Sequence, residues 1–345
     1  MADSIRTLAV QYFQLVDPPN LALPPGNVLV HPAVQQAIYE QMFDETLTPL
    51  PPVTYRTRVL KQIIARIEEA ITDPEKDEIL DSLMESWGNL VILPKPSALE
   101  QAQQLSSIKY TAPIQPQNST SATNERTINI LESRGLILSG GTTGNRTWEA
   151  ALHLGSFLST PTGMALIHDK RVIELGAGTG FLSLFCARHL GVKGVVATDR
   201  ELFLIENMRA CARLNRTDED GDIPFYPAIW DWGTTLEKTE EMNSMTGGGK
   251  LEFDVALGAD LIYDTDLVPL LISTVQDLFS NYGVSQFIIA ATLRNENTFR
   301  TFLDACEGNA FKVEMLPFES TASEEQTGFF HSTSIPIHTY LISRA

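Results

Sequence analysis

The segment RVIELGAGTGFLSLFCARHL, Arg171 to Leu190, leaves few folds open. A short apolar run ends at Leu175, glycines follow at Gly176, Gly178 and Gly180, and an amphipathic stretch starts at once. A strand that turns this quickly into a helix belongs to a parallel α/β sheet, because a parallel neighbour needs a helical crossover. Glycine lets the turn take positive φ and lets a ligand approach the backbone without meeting a Cβ. A dinucleotide loop reads G-x-G-x-x-G, but residue 181 is Phe and the glycines alternate, so a pyrophosphate is not the expected guest. Glu174, just before the loop, has two readings: a carboxylate facing a ligand, or a buried one capping nearby amides.

The same alternation continues along the chain. Candidate strands are Val172–Leu175, Gly194–Asp199, Pro224–Ile229, Phe253–Asp260 and Gln286–Leu293, with helices expected at about 181–190, 201–214, 266–281 and 296–306. Phe311–Phe318 and Pro336–Arg344 have no helix between them and predict an antiparallel pair. The expected fold class is therefore α/β: a seven-stranded Rossmann-like sheet, mostly parallel, with an antiparallel C-terminal hairpin. Asp199 ends the second strand 23 residues after Gly176. An acidic residue there accepts ribose hydroxyls in dinucleotide folds, and capping the next helix is the competing use.

Residues 1–107 read differently. Val59, Leu60, Ile63, Ile64 and Ile67 recur at helical spacing, a second periodic stretch follows Pro74, and helices are also expected near 4–15 and 33–43. Proline-rich PPNLALPPG and PLPPV divide them. The expectation is a helical N-terminal domain over 1–107, a linker over 108–125 rich in Ser, Thr, Pro and Asn, and the α/β domain over 126–345. TEEMNSMTGGGKLE reads as a flexible loop.

With 25 basic and 43 acidic side chains the net charge is -18, which disfavours a phosphate backbone as partner and suits a basic protein surface. Cys186, Cys211 and Cys306 stand too far apart for a metal knuckle or a redox pair, so no metal is expected. No secretory pattern and no run of 18 apolar residues is found, which predicts a cytoplasmic chain without membrane attachment. His153, His168 and His189 have no partner spaced for a triad or a metal and are read as surface or cap residues.

The glycine loop with Glu174 resembles the first cofactor motif of S-adenosylmethionine-dependent methyltransferases. Three further segments resemble the family-16 protein methyltransferases of the seven-strand class. Thr143, Gly144, Trp148 and Ala150 match a T-G-x-x-x-W-x-A stretch; Asp231 and Trp232 follow the third strand in AIWDWG; Asp260 and Tyr263 in GADLIYD match a D-x-x-Y motif. The resemblance implies S-adenosyl-L-methionine as cofactor, contacted by Trp148, Glu174, Gly176, Ala177, Gly178, Asp199, Trp232 and Ala259. It also implies that Asp260 orients the target lysine amine and that Tyr263 offers it an aromatic face. Core packing for Trp148, a surface turn at Asp231 and helix capping by Asp260 are the competing readings.

AATLRNENTFRTFLDAC, Ala290 to Cys306, and SGGTTGNRTWEAAL resemble the branch that methylates a lysine of translation elongation factor 2. That branch carries a helical N-terminal extension of similar size. Arg294 and Asn295 match its strand-end R-N pair, which shapes the protein-substrate surface unless Asn295 simply caps the next helix. The implied protein is a monomeric protein-lysine N-methyltransferase acting on elongation factor 2. Two rivals stay open: a methyltransferase for another protein or a small molecule, and a non-catalytic binding module on the same fold.

Overall fold

The computed structural model describes residues 2–345 except 74, 76, 98, 101–103, 115–124, 134–142, 217–222 and 247. Most of the expected linker and the start of the SGGTTGNRTWEAAL segment lie outside the described residues. The chain divides into two compact units, Met1–Thr111 and Ala112–Ala345.

The first unit holds helices α1 (Ala2–Phe13), α2 (Gly26–Leu29), α3 (Pro32–Ile38), α4 (Val53–Ala70) and α5 (Asp81–Ile92). The periodic face of α4 explains its core: Val59, Leu60, Ile63 and Ile67 are fully buried in one cluster with Ile5, Leu8 and Tyr12 of α1. The helix expected near 33–43 is α3 followed by a π turn, Tyr39–Phe43, whose Met42 and Phe43 are buried. The unit ends in strand β1 (Ser106–Thr111). Residues 108–111, assigned to the linker from composition, are thus extended, and alternating Ile108 and Tyr110 are fully buried.

The second unit begins with strand β2 (Thr127–Glu132). Strands β3 (Arg171–Leu175), β4 (Gly194–Asp199), β5 (Phe225–Ile229), β6 (Val255–Ala259), β7 (Gln286–Thr292), β8 (Phe311–Leu316) and β9 (Ile337–Arg344) form a seven-stranded sheet among the described residues, in the order β5-β4-β3-β6-β7-β9-β8. β3 to β7 run parallel, and β9 is antiparallel to both neighbours. The expected fold class holds. β9 inserts between β7 and β8, a placement that hydrophobic pattern alone leaves open.

Helices α6 (Glu149–Leu158), α7 (Pro161–Ile167), α8 (Phe181–His189), α9 (Leu202–Leu214), α10 (Met242–Thr246), α11 (Val268–Asn281) and α12 (Glu296–Gly308) complete the unit. Short α10 lies inside the expected flexible loop, because Met242 is fully buried and Met245 packs near Gly194. Sheet order reverses between β3 and β6. In open α/β sheets ligands bind outside the carboxyl ends of strands at such a switch point, which here means Gly176–Gly178 and Asp260.

Candidate active site

A cavity of about 510 Å³ opens at those strand ends, within the ~300–1,000 Å³ typical of small-molecule sites. The residues assigned from the sequence to the cofactor and the target amine all line it: Trp148, Glu174, Gly176, Ala177, Gly178, Asp199, Trp232, Ala259, Asp260 and Tyr263.

One end is built from the glycine loop. Gly176, Gly178 and Gly180 take φ of +58°, +54° and +79°, the left-handed region where a side chain is strained. At Gly178 space is also short, since a Cβ would lie 3.1 Å from the Gly144 carbonyl oxygen. The Ala177 N–H donates to Thr198 O at 2.8 Å and the Gly178 N–H to Asp199 Oδ2 at 3.0 Å. Asp199 Oδ1 accepts from the Glu201 N–H at 3.3 Å, so this carboxylate serves both the loop and the start of α9. Burial pushes its pKa up, while the amides facing it pull the other way.

Glu174 is buried, and its Oε2 accepts from the N–H of Ser183 at 2.9 Å and from the Ser183 hydroxyl. It therefore caps the first turn of α8 from beneath the loop. Burial raises its pKa to about 7. Trp232 lies across the loop, its Cζ2 3.4 Å from where a Cβ on Gly176 would stand, and Leu261, Leu267 and Leu270 extend that wall. Of this apolar side the sequence reading named only Trp232.

The other end centres on Trp148, which precedes α6 and donates from Nε1 to Thr143 O at 3.0 Å. Asp260 has φ +54°, a conformation that Asp tolerates better than most residues. Its Oδ1 accepts from the Thr292 N–H at 2.9 Å; Oδ2 accepts from the Thr292 hydroxyl at 3.1 Å and from Arg294 Nη1 at 3.2 Å. Arg294 Nη2 donates to Glu149 Oε2 at 3.1 Å, and Arg146 Nη2 donates to Glu149 Oε1 at 2.9 Å. Both guanidiniums lie over Trp148, 5.0 Å (Arg146) and 5.1 Å (Arg294) from the ring centre.

Arg146 and Glu149 were missed from the sequence although they flank the TW pair, because Arg146 precedes α6 and no helical spacing links it to Glu149. Tyr263 is 59% exposed at the rim, and burial of part of its ring together with the charges of Asp199 and Asp264 raises its pKa. Asn295 caps α12, accepting from the N–H groups of Asn297 and Thr298. His153 is neither a surface nor a cap residue: it is fully buried within α6, away from the cavity lining, where Ser320 Oγ at 2.6 Å and Thr339 Oγ1 at 3.1 Å satisfy its ring nitrogens. No described helix is long and apolar enough to cross a membrane.

Comparison with known proteins gives a consistent set of relatives. A family profile described as lysine methyltransferase matches residues 124–309. Protein-lysine N-methyltransferase EFM3 of Chaetomium thermophilum is 42% identical over 95% of this chain and 94% of its own length. The EFM3 of Saccharomyces cerevisiae is 29% identical over 55% of this chain and 56% of its own. Human protein-lysine N-methyltransferase EEF2KMT is 24% identical over 77% of this chain and 74% of its own.

Proposed function

This chain belongs to the lysine methyltransferase family, and from that premise we propose that it is a cytoplasmic enzyme whose substrate is a lysine of translation elongation factor 2. Its activity is protein-lysine N-methylation and its cofactor is S-adenosyl-L-methionine. One observation carries the reading of the site: a single cavity joins a glycine-and-carboxylate end to an end made of an indole and a hydrogen-bonded carboxylate. For the substrate, support comes from a likeness to EFM3 that spans both units, from the relative named EEF2KMT, and from the branch motifs around Trp148 and Arg294. Three buried free cysteines suit a reducing compartment.

The residues present fit the cofactor. Gly176 and Gly178 leave a cradle that a Cβ would fill, Asp199 supplies acceptors for the two ribose hydroxyls, and Trp232 with Leu261 and Leu270 forms an apolar slot for the base. When bound, the cofactor supplies an electrophilic methyl group whose bond to sulfur breaks as the bond to the lysine nitrogen forms.

The chain's own work is positioning. Among the described residues Asp260 Oδ1 accepts from the Thr292 amide alone, which leaves it room for an N–H from the incoming amine. Tyr263 offers that place an aromatic face, and Trp148 lines the methionine side of the cofactor. Among the described residues none is placed as a strong base, so the ammonium loses its proton to water before attack, and the cavity walls limit the solvent that would hold it charged.

The test is transfer from radiolabelled cofactor into an extract of cells in which the gene is deleted. Label in a band of elongation-factor-2 size, lost when that factor is depleted, is expected. Label confined to other proteins or to small metabolites overturns the substrate assignment.

A further inference from the structure

The charges around Trp148 balance. Arg146 and Arg294 face Glu149 and Asp260, with Glu149 bridging the two guanidiniums through separate oxygens and Arg294 bridging the two carboxylates. Asp260 is the least accessible member, its side chain 8% exposed, against 39% for Arg294. A guanidinium keeps its proton at any physiological pH, so this pairing persists while a lysine beside it titrates.

That matters because a lysine amine must be neutral to attack, and its unperturbed pKa is ~10.4. A lone buried carboxylate next to it would hold the proton on and make the site a trap for ammonium. We propose that Arg294 is a positioning residue for the target lysine: by neutralising Asp260 within the Arg146–Glu149–Arg294 network, it lets the site receive the side chain as a neutral amine. The proposal rests on the lysine methyltransferase reading and not on the identity of the substrate protein.

The remaining charged groups facing the cavity have other engagements. Glu174 is bonded to Ser183, Asp199 to the amides of Gly178 and Glu201, and Arg200 pairs with Glu201. Asp231 lines the cavity after β5, and Asp264 follows Tyr263. In the step itself the ammonium gives its proton to water, the nitrogen lone pair forms the new N–C bond, and the methyl–sulfur bond breaks with its electrons retained on sulfur. The product nitrogen carries the positive charge.

The test compares initial rates from pH 6 to 10 at saturating labelled cofactor for the unaltered chain and for Arg294→Met, Arg294→Lys and Glu149→Gln. Rates are read on whichever protein band the unaltered enzyme labels, so a wrong substrate assignment leaves the measurement intact. Calorimetric affinity for the cofactor serves as the check on folding.

Arg294→Met exposes the charge of Asp260 and is expected to move the midpoint of the kcat profile up by about one unit, a ~tenfold loss at pH 7 that closes toward pH 10. Glu149→Gln removes the opposite sign and is expected to move the midpoint down, while Arg294→Lys restores most of the original profile. An equal, pH-independent loss in both Arg294→Met and Glu149→Gln overturns the proposal in favour of a purely structural role. A faster Arg294→Met enzyme at pH 7 also overturns it, because Arg294 would then be occupying the amine's own place. Midpoints that do not move in opposite directions overturn it as well.

Discussion

The backbone N–H of Gly178 donates to Asp199 Oδ2 at 3.0 Å, so the loop after β3 and the end of β4 form one wall of the cavity. Gly178→Ala strains that wall twice, through φ of +54° and through a Cβ 3.1 Å from Gly144 O. The left-handed region alone costs a non-glycine residue about 1–2 kcal/mol. Calorimetry should show cofactor affinity at least ~tenfold weaker, and thermal melting a lower midpoint, because a shifted loop no longer offers its amide to Asp199.

Asp260→Asn separates binding from transfer. Asparagine tolerates the left-handed backbone at this position, which alanine does not, so the fold should survive. It lacks the charge that pairs with Arg294, and one of its side-chain atoms becomes a donor facing Thr292 or Arg294. Methyl transfer should fall by at least ~100-fold with cofactor affinity within about threefold. A variant that loses cofactor binding instead would place Asp260 in the cofactor wall.

Much of this architecture could be read from the chain because parallel strands buried on both faces are continuous apolar runs. The run GVVATD matches β4 residue for residue, and α8 starts where the glycines end. Strand β1 was hidden because its two inward residues, Ile108 and Tyr110, are too few for a periodic signal. The charge network was hidden for a different reason. Glu149 and Arg294 are 145 residues apart, and nothing local in either segment announces that β7 ends beside the start of α6. Glycines and strand-end carboxylates declare themselves through local geometry, whereas ion pairs across the sheet depend on topology.

Glu174 predicts a stability that falls as pH rises. Burial lifts its folded pKa to about 7 from an ordinary value of 4.5, so the folded state binds a proton that the unfolded chain has lost. The contribution is complete below about pH 4.5 and disappears as pH climbs through 7, on the order of 3 kcal/mol. Glu174→Gln keeps an oxygen for Ser183 and removes the ionisation. Urea melts should show Glu174→Gln gaining on the unaltered chain from pH 5 to pH 8, and equal pH slopes would disprove the burial argument.

His153 predicts the opposite slope. Burial, reinforced by His331 and His338, lowers its pKa to about 3 from 6.5, and the neutral ring bridges Ser320 Oγ and Thr339 Oγ1. Unfolded chains bind the proton first, so the contribution is present above about pH 6.5 and is lost as pH falls toward 3. Burial of the ring makes this on the order of 5 kcal/mol across the window. His153→Gln, which can still bond to both hydroxyls, should lower stability at pH 7 yet flatten the decline between pH 6.5 and 4. Paired urea titrations read the difference between the two chains, so groups common to both cancel. Parallel acid limbs would mean that the ring is solvated and titrates normally.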